Sequence, residues 1–222
     1  MEPQAPAVSP PLYDIISRLV DGYGRWYDFD RDPAECLKRL SEEIKGQALT
    51  APNEDTPGAG GLSPVPIISA ALHEEQGAYL LTRRATMWES HSHEFVYFFL
   101  LRPGVPLTKE LFAEISGTAV SLGRERVHPD ANHLRTDVTC LIVADDADNP
   151  GLAALKKWSY RENFKMSLHG WMDGRAALIT PRSIITGKGG GRLGDFLESL
   201  LYPDRYRARN RGLRGWLRRV FR

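Results

Sequence analysis

Residues 67–102 read IISAALHEEQGAYLLTRRATMWESHSHEFVYFFLLR. Three segments in it, 67–74, 79–88 and 94–102, are rich in aliphatic and aromatic side chains, which suit a pleated, half-buried surface. Gln76-Gly77 and residues 89–93 punctuate them. The stretch therefore predicts a meander of antiparallel hairpins. Downstream, Thr108 suits an N-cap for a helix reaching Gly123, with Leu111, Ile115, Ala119 and Leu122 on one face. Residues 127–134 form a loop and 135–144 a strand, and Pro150 opens a helix ending near Tyr160. Residues 164–180 supply two strands, or one bent strand broken around Gly170 or Gly174, before a short strand over 183–186. A glycine-rich loop, 187–194, overlaps the start of a last helix over 193–201. The order β-β-β-α-β-α-β-β predicts an α+β domain over 67–201, its sheet largely antiparallel or mixed, with helices packed on it.

Upstream, residues 1–11 are proline-rich and read as disordered. Leu12, Ile15, Ile16, Leu19, Val20 and Tyr23 follow helical spacing. Asp32 can cap a second helix, with Pro33 in its first turn, that buries Cys36, Leu37, Leu40 and Ile44. Residues 12–45 thus predict a helical pair. Residues 46–66, dominated by glycine, proline and small polar side chains, predict a flexible linker that sets the pair apart from the domain.

A chain of 222 residues can bury a core without disulfide staples, and its two cysteines, Cys36 and Cys140, sit in apolar patterns that suit reduced core thiols. The first residues lack the basic-then-apolar order of a secretory signal, and the longest apolar run, Phe95–Leu101, is far short of a membrane span. The expectation is a cytoplasmic protein. The net charge of +1 hides an asymmetry: residues 205–222 hold eight arginines and no acid, so residues 1–204 carry the difference, −7. Over 202–222 the chain predicts a basic amphipathic tail. Leu213, Trp216, Leu217, Val220 and Phe221 fall on one helical face, with Arg211, Arg214, Arg218 and Arg222 mostly opposite. Such a helix suits an anionic membrane surface, peripheral at the inner face, or an acidic protein partner. Nucleic-acid phosphate is less favoured, because it needs no apolar stripe.

A set of residues within 79–188 resembles a family of bacterial proteins of unknown function. They are Ala85 and Trp88 ahead of Glu94-Phe95-Val96, Pro129 with His133, Phe164, Gly170-Trp171 with Asp173 and Arg175, and Gly187-Lys188. The resemblance implies one compact α+β domain and no catalytic residue. The chain departs from the family pattern at His91, where an acid is usual, and in its linker and tail.

Several groups are candidates for chemistry. His91 and His93 share a strand face and can hold a metal if His128, Asp130 or His133 joins them, making His91, His93, Glu94, His133 and Asp137 the candidates for catalysis. The chain carries neither HExxH nor CxxC, and the expectation is no metal and no cofactor. Asp130 and Asn132 read as turn formers. Trp171, Asp173 and Arg175 on one face can bind an anion or polar ligand, or can orient the sheet end as a structural pair. The loop of residues 187–192, GKGGGR, is not a phosphate-binding P-loop and reads as a hinge. The composite expectation is a non-enzymatic binding or regulatory module, with a small metal-dependent hydrolase or nuclease around His91, His93 and His133 as the alternative.

Overall fold

The structure is a computed structural model and describes residues 10–39, 42, 68–72, 75–80, 87–102 and 104–210. The elements run α1 (Pro10–Tyr23), β1 (Tyr27–Phe29), α2 (residues 33–39), β2 (Ile68–Leu72), β3 (Glu75–Leu80) and β4 (Met87–Leu100). There follow α3 (Lys109–Arg126), β5 (His133–Val143), α4 (Asn149–Lys157), β6 (Tyr160–Asn163), β7 (Trp171–Ile179), β8 (Ile184–Thr186), α5 (Gly191–Leu201) and α6 (residues 203–210). They form an α+β fold around a mixed sheet of eight described strands in the order β1-β2-β4-β5-β7-β6. β3 pairs with β4 and β8 with β7. The three central strands, β4, β5 and β7, are parallel, β2, β3, β6 and β8 pair with them antiparallel, and the edge strand β1 pairs antiparallel with β2. Two helical crossovers, through α3 and α4, make the parallel pairing reachable.

Alternation along the central strands builds two cores. Phe95, Tyr97 and Phe99 of β4, with Val138, Cys140 and Ile142 of β5, pack with Phe112, Ile115 and Ala119 of α3 and Leu155 of α4. Val96 and Phe98, with Leu141, Val143, Ala177 and Ile179, pack instead with Leu12, Ile16, Leu19 and Tyr23 of α1 and Leu197 and Leu201 of α5. Tyr23 meets the rings of Tyr27, Phe98 and Phe196 edge-on. Both cysteines are free thiols, Cys140 in the first core and Cys36 against the second.

Several expectations need correction. The meander is replaced by one hairpin: residues 89–93 lie inside the fourteen-residue strand β4, and Gln76-Gly77 lies inside β3. Residues 89–93, Glu-Ser-His-Ser-His, are polar on both strand faces and lack the apolar alternation that marks a half-buried strand, so they read as a turn. The N-terminal helical pair is present as α1 and α2, and α1 packs on the domain. Its apolar stripe is a wall of the second core, and its helix begins at Pro10, inside the segment read as disordered. The helix opened by Pro150 stops at Lys157, short of Tyr160, residues 160–163 are a strand, and residues 164–170 are a turn rather than strand. Lys165, Met166 and Ser167 there have positive φ. The hinge is tied down: Gly187 N donates to Ala176 O and Lys188 N to Trp158 O, and α5 starts at Gly191, two residues early. Thr108 caps α3 through Leu111 N as expected, but the buried face is Phe112, Ile115, Ser116, Ala119 and Gly123. The linker 46–66 and the tail beyond 210 lie outside the described residues.

Candidate functional site

Parallel register places Glu94, Asp137 and Asp173 side by side in one row across β4, β5 and β7. The row before it is Ser92, Arg135 and Trp171, and the row after is Val96, Thr139 and Arg175. All nine positions share the face that α1 and α5 cover further along the strands. That face thus grades from apolar core to a polar shelf at the N-terminal ends of the parallel strands.

The shelf is a lattice of opposed charges. Asp137, only 4% exposed, is held by Arg135 Nη2 at 2.7 Å and Arg175 Nη2 at 3.1 Å. The Arg135 and Arg175 side chains are 43% and 31% exposed, so the shelf is buried at its floor and open at its rim. Asp173 accepts from Arg161 Nε at 2.6 Å and Nη2 at 2.8 Å, and from Trp171 Nε1 at 3.0 Å. Arg161 also lies over the Trp171 ring, its guanidinium carbon 5.4 Å from the centroid. Burial raises the Glu94 carboxyl against the opposing hydrogen bond from Tyr27, and burial raises Asp137 against Arg175 and Arg135. At Asp173 the upward push of burial is outweighed by Arg161 and Trp171, and its acidity is enhanced. The hydroxyl of Thr139, 1% exposed, has no hydrogen-bond partner among the described residues.

The histidines converge on the opposite face. A bulge at Leu134 shifts the register between His91/His133 and Ser92/Arg135, which turns His133 over from the shelf face to the face of His91. The ring centroids of His91 and His93 are 5.2 Å apart, and those of His133 lie 5.7 and 6.1 Å from them. His133 is nonetheless committed at both nitrogens: Nδ1 lies 2.8 Å from His169 O and Nε2 2.9 Å from Thr136 Oγ1. The first bond requires Nδ1 to carry the proton and the second is then accepted from the hydroxyl. Burial lowers the proton affinity of His133, against the His169 carbonyl. Asp130 Oδ1 accepts from the amides of Asn132 and His133, the turn role expected of it, and sits 3.7 Å from His91 Nε2. His128 Nδ1 bonds Arg126 O, away from the ring cluster. No group of three or more potential ligands is spaced to hold a metal among the described residues.

The structure divides the expected candidates. Trp171 and Asp173 meet as foreseen, but the arginine on Asp173 is Arg161, and Arg175 serves Asp137. Glu94 and Asp137 belong to the shelf and not with the histidines. Tyr27, Arg135, Thr139 and Arg161 went unforeseen. Arg135 alternates with Asp137 and carried a readable signal, whereas Tyr27 arrives from outside the strands. Of the tail, α6 docks on the domain: Arg209 pairs with Asp195 and Glu198, and Arg205 Nη1 donates to Arg182 O. Arg211, Leu213, Arg214, Trp216, Leu217, Arg218, Val220 and Phe221 lie outside the described residues.

A half-open charged shelf on a mixed sheet backed by helices marks an α+β domain with one strongly charged sheet face. The chain belongs to the family described as Domain of unknown function (DUF8052), whose model matches residues 67–198, more than half of it. No curated protein and no solved structure matches. No described helix is long and apolar enough to cross a membrane.

Proposed function

We propose that the protein is a non-enzymatic binding module whose ligand face is the shelf of Arg135, Asp137, Trp171, Asp173 and Arg175. The carrying observation is the engagement of its ionisable groups: Asp137 is clamped by two guanidiniums and Asp173 by a guanidinium and an indole. Clamped carboxylates are poor bases and nucleophiles but hold a rim of guanidinium and indole in fixed orientation, which suits recognition. The tail beyond α6 serves as a second contact, to an anionic membrane surface or an acidic partner, through its apolar stripe and arginines. A thermal-shift screen of small polar compounds tests the shelf. Ligands that stabilise wild type should lose their effect in Trp171→Ala and Arg175→Gln, and equal stabilisation of both variants would refute the assignment.

The hydrolase reading draws on the ring convergence of His91, His93 and His133. Both hydrogen bonds on His133 weigh against it, since a metal would have to break one of them. Stoichiometric metal lost on joint substitution of His91 and His93 would restore it.

A further inference from the structure

The shelf carries a more specific chemistry. Resting on the binding-face reading above, we infer that it recognises an oxyanion, a phosphate or carboxylate group, seated between the guanidiniums of Arg135 and Arg175 and the hydroxyl of Thr139. Two guanidiniums converge on the single carboxylate of Asp137, each through one Nη2. A guanidinium has five N–H donors in a planar fork that matches carboxylate and phosphate geometry, and both arginine side chains are partly exposed. Asp173, the next acid in the row, is occupied by Arg161 and the Trp171 indole. Glu94, on the other side, is bonded to Tyr27, and burial favours its neutral form. The two forks therefore share the one carboxylate of Asp137 between them.

The second observation is independent of charge. Thr139 lies in the same cross-strand row as Arg175 and two residues along from Asp137, on the shelf side of β5. Its buried Oγ1 has no partner among the described residues. Buried hydroxyls are nearly always paired, and one that is not asks for a group to complete it. A hydroxyl in the row of Arg175, on the same face as the Asp137 clamp, adds a neutral donor to the set that would suit an oxyanion.

Titration calorimetry of the full chain with inorganic phosphate, and separately with acetate, reads this out. Saturable binding of either probe supports the inference and identifies the group. Arg175→Gln should weaken it by at least about tenfold, since a hydrogen bond to a charged group is lost. Arg39→Gln, an exposed arginine on α2, should leave it unchanged. Thr139→Val guards against a folding artefact: it removes an unpartnered hydroxyl, so its melting temperature should equal or exceed that of wild type while affinity falls. Saturable binding that survives both Arg175→Gln and Thr139→Val would overturn the inference. So would binding of neither probe. If neutral polar ligands still depend on Trp171 in that case, the binding face stands and only its ligand class is wrong.

Discussion

Gly170 joins the turn of residues 164–170 to β7 and carries a positive φ of 71°. A Cβ there would lie 2.3 Å from the carbonyl oxygen of Leu134 and 2.6 Å from that of His133, the backbone of the β5 bulge. Gly170→Ala thus pays two separate costs. A side-chain-bearing residue in the left-handed region loses about 1 kcal/mol or slightly more. Relief of the clash requires moving backbone, because the opposing atoms are carbonyls, and overpacking of this kind costs about 1–3 kcal/mol. The sum is about 2–4 kcal/mol. For a chain of this size each kcal/mol is worth about 2–4 °C, so the melting temperature should fall by about 5–15 °C. Calorimetric and urea unfolding measure it. Gly117→Ala is the matched control: it is exposed inside α3 with nothing within 4 Å of its Cβ, and should gain about 0.5–1 kcal/mol from helix propensity. A Gly170→Ala chain within about 0.5 kcal/mol of wild type would refute the close packing of turn against bulge.

Three further outcomes follow from the same structure. Asp148→Ala removes the N-cap that accepts from Gly151 N at 2.6 Å, and should cost about 1 kcal/mol in urea unfolding. His133 has its proton affinity lowered in the folded chain, so the unfolded chain binds the extra proton first. Stability should fall as pH drops below about 6.5, and the loss should be smaller in His133→Gln; a pH-independent unfolding midpoint from 7.5 to 5.5 would contradict it. In cosedimentation with anionic vesicles, Trp216→Ala with Phe221→Ala should release more protein than Arg211→Ala, and equal retention of a chain ending at 204 would rule the tail out as the contact.

Much of the fold is written locally. The spacing of Leu12 to Tyr23, the Thr108 cap and the Pro150 helix start each mark an element that exists near its expected bounds. What local patterning does not carry is which strands are neighbours. The parallel pairing of β4, β5 and β7 depends on crossovers through α3 and α4, and nothing in residues 89–94 separates a polar strand face from a turn. The candidate site shares that limit. Trp171, Asp173 and Arg175 lie within five residues and were legible as one face. Their union with Glu94, Asp137 and Arg135 is a matter of inter-strand register, and Arg161 falls between the predicted helix end near Tyr160 and the predicted strand from Phe164. The bulge at Leu134 separates His133 from Arg135 and so divides the histidines from the shelf.

Chemical-shift mapping of the 15N-labelled full chain against stabilising compounds tests most directly whether the shelf is the ligand face. The domain also has a cleft of about 430 Å³ at the opposite strand ends, lined by Asp146, Leu152, Thr180 and Arg182 among others, which provides the internal comparison. The prediction is that shifts concentrate on the Trp171 indole N–H, the Arg135 and Arg175 side chains and the Thr139 amide, and vanish in Arg175→Gln. Shifts confined to residues 145–152 and 180–185, with the shelf signals unmoved, would contradict it.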